Sequence, residues 1–273
     1  MTERAAFLFA SVLALSASAC GSSSDGDPDG GGGGGGGCGE AASIALGSWV
    51  QQTVSVPGGG SRVYFVRLPA GYDPDERYPV VYQLHGCSDS ATPENNNVPV
   101  ENQSGDEAIH VRGRAADNCW DTTTDLPYFD AVVDDVEDSY CADPDRRLLT
   151  GYSSGAFFAH RIACVRGDTI RGIATIAGGS PGGGCVGEVA VIQIHDANDQ
   201  TVMIAPVGYP TRDHWITANG CDATFTPTDD PPCVAYDGCN AGAPVVWCET
   251  TGQDHARQDG LAGPIFWEFL SSL

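Results

Sequence analysis

Positive charge is scarce in this sequence. Thirteen Lys and Arg stand against 36 Asp and Glu, a formal net charge of −23 over 273 residues. Such a field repels a phosphate backbone, so no nucleic-acid partner is expected. The same self-repulsion keeps an acidic chain in solution. No apolar run reaches the roughly 18 residues that a membrane-spanning helix needs. No two cysteines have C-x-x-C spacing, so the usual zinc framework is missing and no metal is expected. The single long glycine run neither follows a strand nor ends in Gly-Lys-Ser/Thr, which excludes a phosphate-binding loop. There is no internal repeat, and nothing in the sequence calls for a cofactor.

What is present begins with a targeting signal. Arg4 precedes "AAFLFASVLALSASA" (5–19), apolar and small but too short to span a bilayer, as in an export signal. Cys20 follows "LSASA", which resembles a bacterial lipobox with Ala17 where Leu is commoner. Residues 1–20 are therefore expected to be a signal, with Cys20 as lipidation site, and plain cleavage and secretion as the alternative. Either way the mature protein works outside the cytoplasm, touching a membrane only through that anchor. Residues 21–41 read as a flexible linker. Its core, "GSSSDGDPDGGGGGGGG" (21–37), has too little side chain to fold and a random-coil span of roughly 20–25 Å. Residues 42–273 read as one domain, expected to be a monomer.

In that domain "SRVYFVRL" (61–68) and "YPVVYQLHG" (78–86) are β-rich runs bounded by Gly and Pro, hence strands. "AIHVRG" is a weaker one. "LPYFDAVVDDVEDSY" (126–140) places Phe129, Val132, Val133 and Val136 at helical spacing. "RRLLTG" is a strand, "SGAFFAHRIACVRG" a helix, and "IRGIATIAG" (170–178), "VAVIQIHD" (189–196) and "APVVWCE" (243–249) three more strands. "GPIFWEFLSSL" closes the chain as a helix with Pro264 in its first turn. Apolar strands alternating with helices imply a mostly parallel central sheet with helices on both faces.

The chemistry centres on "TGYSSGA". With 36 glycines in the chain a lone G-x-S-x-G match is weak, but this one follows a strand and opens a helix. That is the context of a nucleophile elbow, with Ser153 as the candidate nucleophile. Ser154 is out of register and offers its backbone N–H at the helix N-terminus, as one donor of an oxyanion hole. A serine hydroxyl needs a base, and the base an orienting acid, in the chain order Ser, acid, His. His160 lies inside the helix, His195 ends a strand, and His214 reads as a surface-helix residue. His255, in a loop between the last strand and the last helix, is the candidate base. The acid comes from the loop after "VAVIQIH", where Asp196 and Asp199 both qualify. Asp199 is favoured because three loop residues let it turn back toward the histidine. "LHGCSDS" (84–90) offers the backbone N–H of Cys87 as the second oxyanion donor, with His85 bracing that loop.

Together "LHGC", "CWD" (119–121), "YCADPDRRLLTGYSSGAFFAHRIAC" (140–164), "IHDANDQTV" and "NGC…C…YDGC…GAPVVWC…GQDH" resemble a known group. It is that of the secreted α/β-hydrolases, including feruloyl esterases of carbohydrate esterase family 1 and polyhydroxybutyrate depolymerases. The resemblance runs from about residue 60 to the C-terminus. It implies the α/β-hydrolase fold, a Ser153–His255–Asp199 triad and an oxyanion hole from Cys87 and Ser154. It also implies an ester substrate on a polysaccharide or polyester. The chain departs from the group's pattern in two places. Asp196 replaces the Gly of His-Gly-Thr-x-Asp, and Gln253-Asp254-His255-Ala256-Arg257 replaces Gly-Gly-His-Thr-Trp. A feruloyl-type esterase leads. A polyester depolymerase or acetyl xylan esterase with the same triad is the alternative, and an inactive tethered binding or scaffold protein is the remote one.

Setting Cys20 aside leaves ten cysteines, an even number behind an export signal, so up to five disulfides should brace the fold. Cys87–Cys119 is expected to brace the oxyanion loop and Cys239–Cys248 the histidine loop.

Overall fold

β-Branched and aromatic runs build one ten-stranded sheet in the computed structural model, which describes residues 36–273 except 89, 91 and 180. The strands are β1 (Val50–Val56), β2 (Gly60–Arg67), β3 (Tyr78–Leu84), β4 (Ile109–Arg112) and β5 (Ala142–Tyr152). They continue with β6 (Gly172–Ile176), β7 (Ala190–Asp196), β8 (Phe225–Pro227), β9 (Cys233–Tyr236) and β10 (Val245–Thr250). The helices are α1 (Glu101–Ser104), α2 (Leu126–Ser139), α3 (Ser154–Val165), α4 (Tyr209–Ala218) and α5 (Asp259–Ser271).

The order across the sheet is β1-β2-β4-β3-β5-β6-β7-β10-β9-β8. The run from β4 to β10 is parallel, and antiparallel strands flank it on both sides. Burial follows that division. β3, β6 and β7 are buried at every residue, as strands covered on both faces must be, whereas β1 is buried on alternate residues near its end.

Period-two alternation sends neighbouring side chains into two cores. Val80, Tyr82, Leu149, Ile173 and Val191 pack on one face with Val132 and Val136 of α2 and Phe158 and Ile162 of α3. Val81, Leu148, Ala174, Ile192 and Val246 pack on the other with Ile265, Phe266 and Leu270 of α5. Helices therefore cover both faces, and the fold is that of an α/β-hydrolase.

Five disulfides brace it: Cys38–Cys141, Cys87–Cys119, Cys164–Cys185, Cys221–Cys239 and Cys233–Cys248. Cys87–Cys119 is the pairing expected, but Cys239–Cys248 does not form. β9 was not legible as a strand, and its antiparallel register places Cys233 directly opposite Cys248. Cys239 instead meets Cys221 after α4.

Two other boundaries differ from expectation. α5 begins at Asp259, one turn and more before Pro264, so the proline lies inside the helix. Its missing N–H would have paired with the Gly260 carbonyl, and Gly260 is exposed, so water can satisfy that oxygen. At the other end, residues 36–41 lie within the stretch read as linker. Yet Cys38 is bonded to Cys141, and the N–H groups of Gly37 and Gly39 donate to the carbonyls of Glu137 and Pro74. Ordered packing thus starts before residue 42. The expected signal, most of the linker and Cys20 lie outside the described residues. Among those described, no helix is long and apolar enough to cross a membrane.

Candidate active site

β5 delivers the chain to Ser153, and α3 starts at the next residue. The turn between them is tight enough to force Ser153 to φ 51° and ψ −118°. A non-glycine residue held there costs of order 1–3 kcal/mol, so the surroundings must hold it. The Ser153 N–H donates to Ile176 O (3.0 Å), and its carbonyl accepts from Ala156 N (2.9 Å) and Phe157 N (3.1 Å). The flanking glycines are required by space. A Cβ on Gly151 would lie 2.5 Å from Gly155 O, and one on Gly155 would lie 2.0 Å from Leu84 O. The pattern read as an elbow is thus a place where three backbone segments touch.

The serine hydroxyl lies 2.9 Å from His255 Nε2, and His255 Nδ1 lies 2.7 Å from Asp199 Oδ2. A carboxylate accepts, so Nδ1 carries the proton and Nε2 is left to accept from the Ser153 hydroxyl. Asp199 is buried, and its other oxygen accepts from the N–H groups of Thr201 (2.8 Å) and Val202 (2.7 Å). The fold thus brings together residues 153, 199 and 255 from three separate loops. Asp196, the other acid considered, bonds other groups than the imidazole. Its carboxylate accepts from Thr250 Oγ1 and from the N–H groups of Asn198, Gln253 and Asp254. Burial pushes its pKa up, but those donors outweigh burial and hold it below the usual carboxylate range.

His85 braces the loop after β3, and its ring is fully buried. Its Nδ1–H donates to Gly86 O (2.7 Å), its Nε2 accepts from Ala115 N (3.1 Å), and its carbonyl accepts from Trp120 Nε1 (3.0 Å). Beyond it, the N–H groups of Cys87 and Ser154 are taken by no acceptor among the described residues. The Cys87–Cys119 bridge and the bond from Ser88 N to Asn118 O (2.8 Å) hold this loop in place.

Three further histidines have partners of their own. His160 is buried, accepts from Trp215 Nε1 (2.9 Å) and donates to Thr175 Oγ1 (3.0 Å). Burial lowers its pKa to about 3. His195 lies beneath the acid loop and donates from Nε2 to Val202 O (2.7 Å), with its pKa lowered by burial. His214 Nε2 rests 3.3 Å from Cys185 Sγ. Among the described residues no three of His, Cys, Asp or Glu form a metal-binding group.

Tyr152 belongs to the site and was not singled out from the sequence. Its hydroxyl donates to His255 O (2.9 Å), and its ring lies 5.4 Å from the imidazole, centroid to centroid. Gly86 makes room for that ring, since a Cβ there would lie 2.5 Å from it. Arg257, where the resembled group carries Trp, bonds Asn95 O (3.3 Å) and Asn96 Oδ1 (3.2 Å) and so ties the histidine loop to the segment between β3 and α1. A tyrosine just before the candidate serine was a visible signal. A partner 103 residues away was not.

A hydroxyl aligned with an imidazole and a buried carboxylate suits acyl transfer. The sheet order and the strained serine between strand and helix define the class: an α/β-hydrolase fold. No family model matches the chain. Feruloyl esterase D of Neurospora crassa is 27% identical over 264 residues, covering 86% of this chain and 89% of that one. Among solved structures, the feruloyl esterase module from Clostridium thermocellum, complexed with sinapinate, superposes with a TM-score of 0.63 at 15% identity, over 84% of this chain and 89% of that one. The acetyl xylan esterase from Aspergillus awamori gives a TM-score of 0.62 at 15% identity, over 82% of this chain and all of that one (100%). The chain is a carboxylic ester hydrolase, and its likeness is to the feruloyl esterase group of carbohydrate esterase family 1.

Proposed function

We propose that this protein hydrolyses hydroxycinnamate esters of plant cell-wall polysaccharide outside the cytoplasm, through an acyl-enzyme on Ser153. The observation that carries the proposal is the unbroken Ser153–His255–Asp199 line, 2.9 and 2.7 Å, at a strained elbow. The names of the similar proteins supply the substrate class.

Ser153 Oγ attacks the ester carbonyl carbon while its proton passes to His255 Nε2. Negative charge developing on the carbonyl oxygen is met by the N–H groups of Cys87 and Ser154, the latter at the N-terminus of α3. The tetrahedral intermediate collapses, and the leaving alcohol takes the proton from Nε2. Water then gives a proton to Nε2 and attacks the acyl carbon, Oγ departs with that proton, and the free acid is released. Asp199 stays the acceptor of Nδ1–H throughout, holding the ring in one tautomer and stabilising the imidazolium.

Initial rates on methyl ferulate, an acetylated xylan and a short-chain polyester, measured side by side, test the substrate class. Methyl ferulate should be turned over fastest. A preference for the polyester would move the protein to the depolymerase reading, and a preference for acetylated xylan to the acetyl esterase one. Export and anchoring through Cys20 belong to the same proposal. Metabolic labelling with a fatty acid should mark the wild type and not Cys20→Ala, and an unlabelled wild type would leave plain secretion.

A further inference from the structure

We propose that Asp196 is a positioning residue for His255: its buried carboxylate locks the histidine loop to the acid loop, and so sets the Nδ1–Asp199 contact. The proposal rests on the reading of Ser153, His255 and Asp199 as the reacting triad.

Asp196 ends β7 in parallel register with Thr250, which ends β10, so the acid loop and the histidine loop leave the sheet side by side. The carboxylate is 1% exposed and accepts four hydrogen bonds. One comes from its own loop, from Asn198 N (2.9 Å). Three come from the other loop: Thr250 Oγ1 and Gln253 N, each at 3.0 Å, and Asp254 N at 3.2 Å. The histidine loop returns the contact. Gly252 N donates to Asn198 Oδ1 (2.9 Å), Asp254 Oδ1 accepts from Gln200 N (3.0 Å), and Thr250 O accepts from Ala197 N (2.9 Å).

Asp254, the residue before His255, sits at φ 53°, and Gly252 at φ 76°. An irregular loop with two residues of positive φ has no ladder of its own, so its shape is imposed by these bonds. The Asp196 carboxylate is the hub, since it alone gathers three donors from across the gap. A glycine here, as in the pattern this chain resembles, would leave Gln253 N and Asp254 N without that acceptor and would free the backbone next to His255. Asp196 is therefore how this chain holds an imidazole on a loop that lacks the Gly-Gly-His-Thr-Trp sequence.

Asp196→Asn keeps the size but turns an amide N–H₂ toward N–H donors, and Thr250→Val removes one donor while keeping the carboxylate. On a p-nitrophenyl ester, folded Asp196→Asn should lose on the order of 10- to 100-fold in kcat, with KM changed by less than about threefold, because a displacement near 1 Å at a reacting group costs about that much. Thr250→Val should lose roughly 3- to 10-fold in the same way. In an Asp199→Ala background, the Asp196→Asn change should cost less than about threefold, since the geometry it maintains is already gone. An unchanged kcat in either folded single variant would overturn the proposal, as would an equal loss in both backgrounds. Should Asp196→Asn fail to fold, Thr250→Val decides. Ser153→Ala separates the two levels: if it stays active, the triad reading itself is wrong, and if it is dead while Asp196→Asn is normal, only the positioning role falls.

Discussion

Lowering the pH from 6 to 4.5 should destabilise this protein sharply, because four histidines are buried and two of them are shifted far down. His110 and His160 are both 0% exposed, and burial brings the pKa of each from 6.5 to about 3. Their ring nitrogens are occupied, His160 by Trp215 and Thr175 and His110 by Gln83 and Ser104. A group whose folded pKa lies below its unfolded value binds more protons when unfolded, so stability falls as pH drops through 6.5 and levels off near 3. Between pH 6 and 4.5 each histidine should withdraw about 2 kcal/mol, and the two about 4 kcal/mol. For a domain of this size that corresponds to about 8–16 °C in Tm. His85 and His195 are shifted the same way, so the two residues set a lower bound. Asp121 and Asp196, held below their ordinary 3.8, contribute only below about pH 4 and leave this window to the histidines. Thermal unfolding followed by circular dichroism at pH 6 and 4.5, disulfides intact, measures the drop. The His160→Gln variant, whose amide can accept from Trp215 and does not titrate, should be less pH-sensitive by about 2 kcal/mol. A Tm that is flat across the window, or a variant as pH-sensitive as the wild type, would refute the reasoning.

Three further outcomes follow from the geometry. Ser153→Ala should fold normally and lose several orders of magnitude in ester hydrolysis, because the triad acts as a unit; a variant retaining a tenth of the rate would place the nucleophile elsewhere. Gly155→Ala drives a Cβ to 2.0 Å from Leu84 O, so α3 must shift against the loop that carries Cys87. It should cost about 1–3 kcal/mol in urea unfolding and on the order of 100-fold in rate, and wild-type behaviour in both would contradict the close approach. Finally, the bridges should divide by location. Replacing Cys38 and Cys141 with serine opens a 103-residue separation and should lower stability by about 4.7 kcal/mol on the chain-entropy account while leaving the rate of the folded protein alone. Replacing Cys233 and Cys248 opens 15 residues, should cost about 3 kcal/mol, and should slow ester hydrolysis as well, because it loosens β10 just before His255. Equal kinetic effects from the two pairs would count against that division.

The central strands, the helices α2 and α3 and the strand–turn–helix around Ser153 were legible in the sequence, because each is marked by local signals: period-two or helical burial and the small residues of one turn. The order of candidate serine, acid and base is equally a property of the chain. Where loops and strand registers meet, local signals stop. Whether Asp196 or Asp199 faces His255 depends on how β7 ends beside β10, because one acid is the last residue of the strand and the other lies only three positions further on, in the loop. The three-residue β8 and the four-residue β9 are too short to announce themselves, yet the register of β9 pairs Cys233 with Cys248 and so excludes Cys239. The sequence by itself determined which residues are candidates for the chemistry and which segments form the core. The tertiary structure decided which of them touch, because side-chain direction and disulfide choice are fixed by contacts across the sheet between residues far apart in the chain.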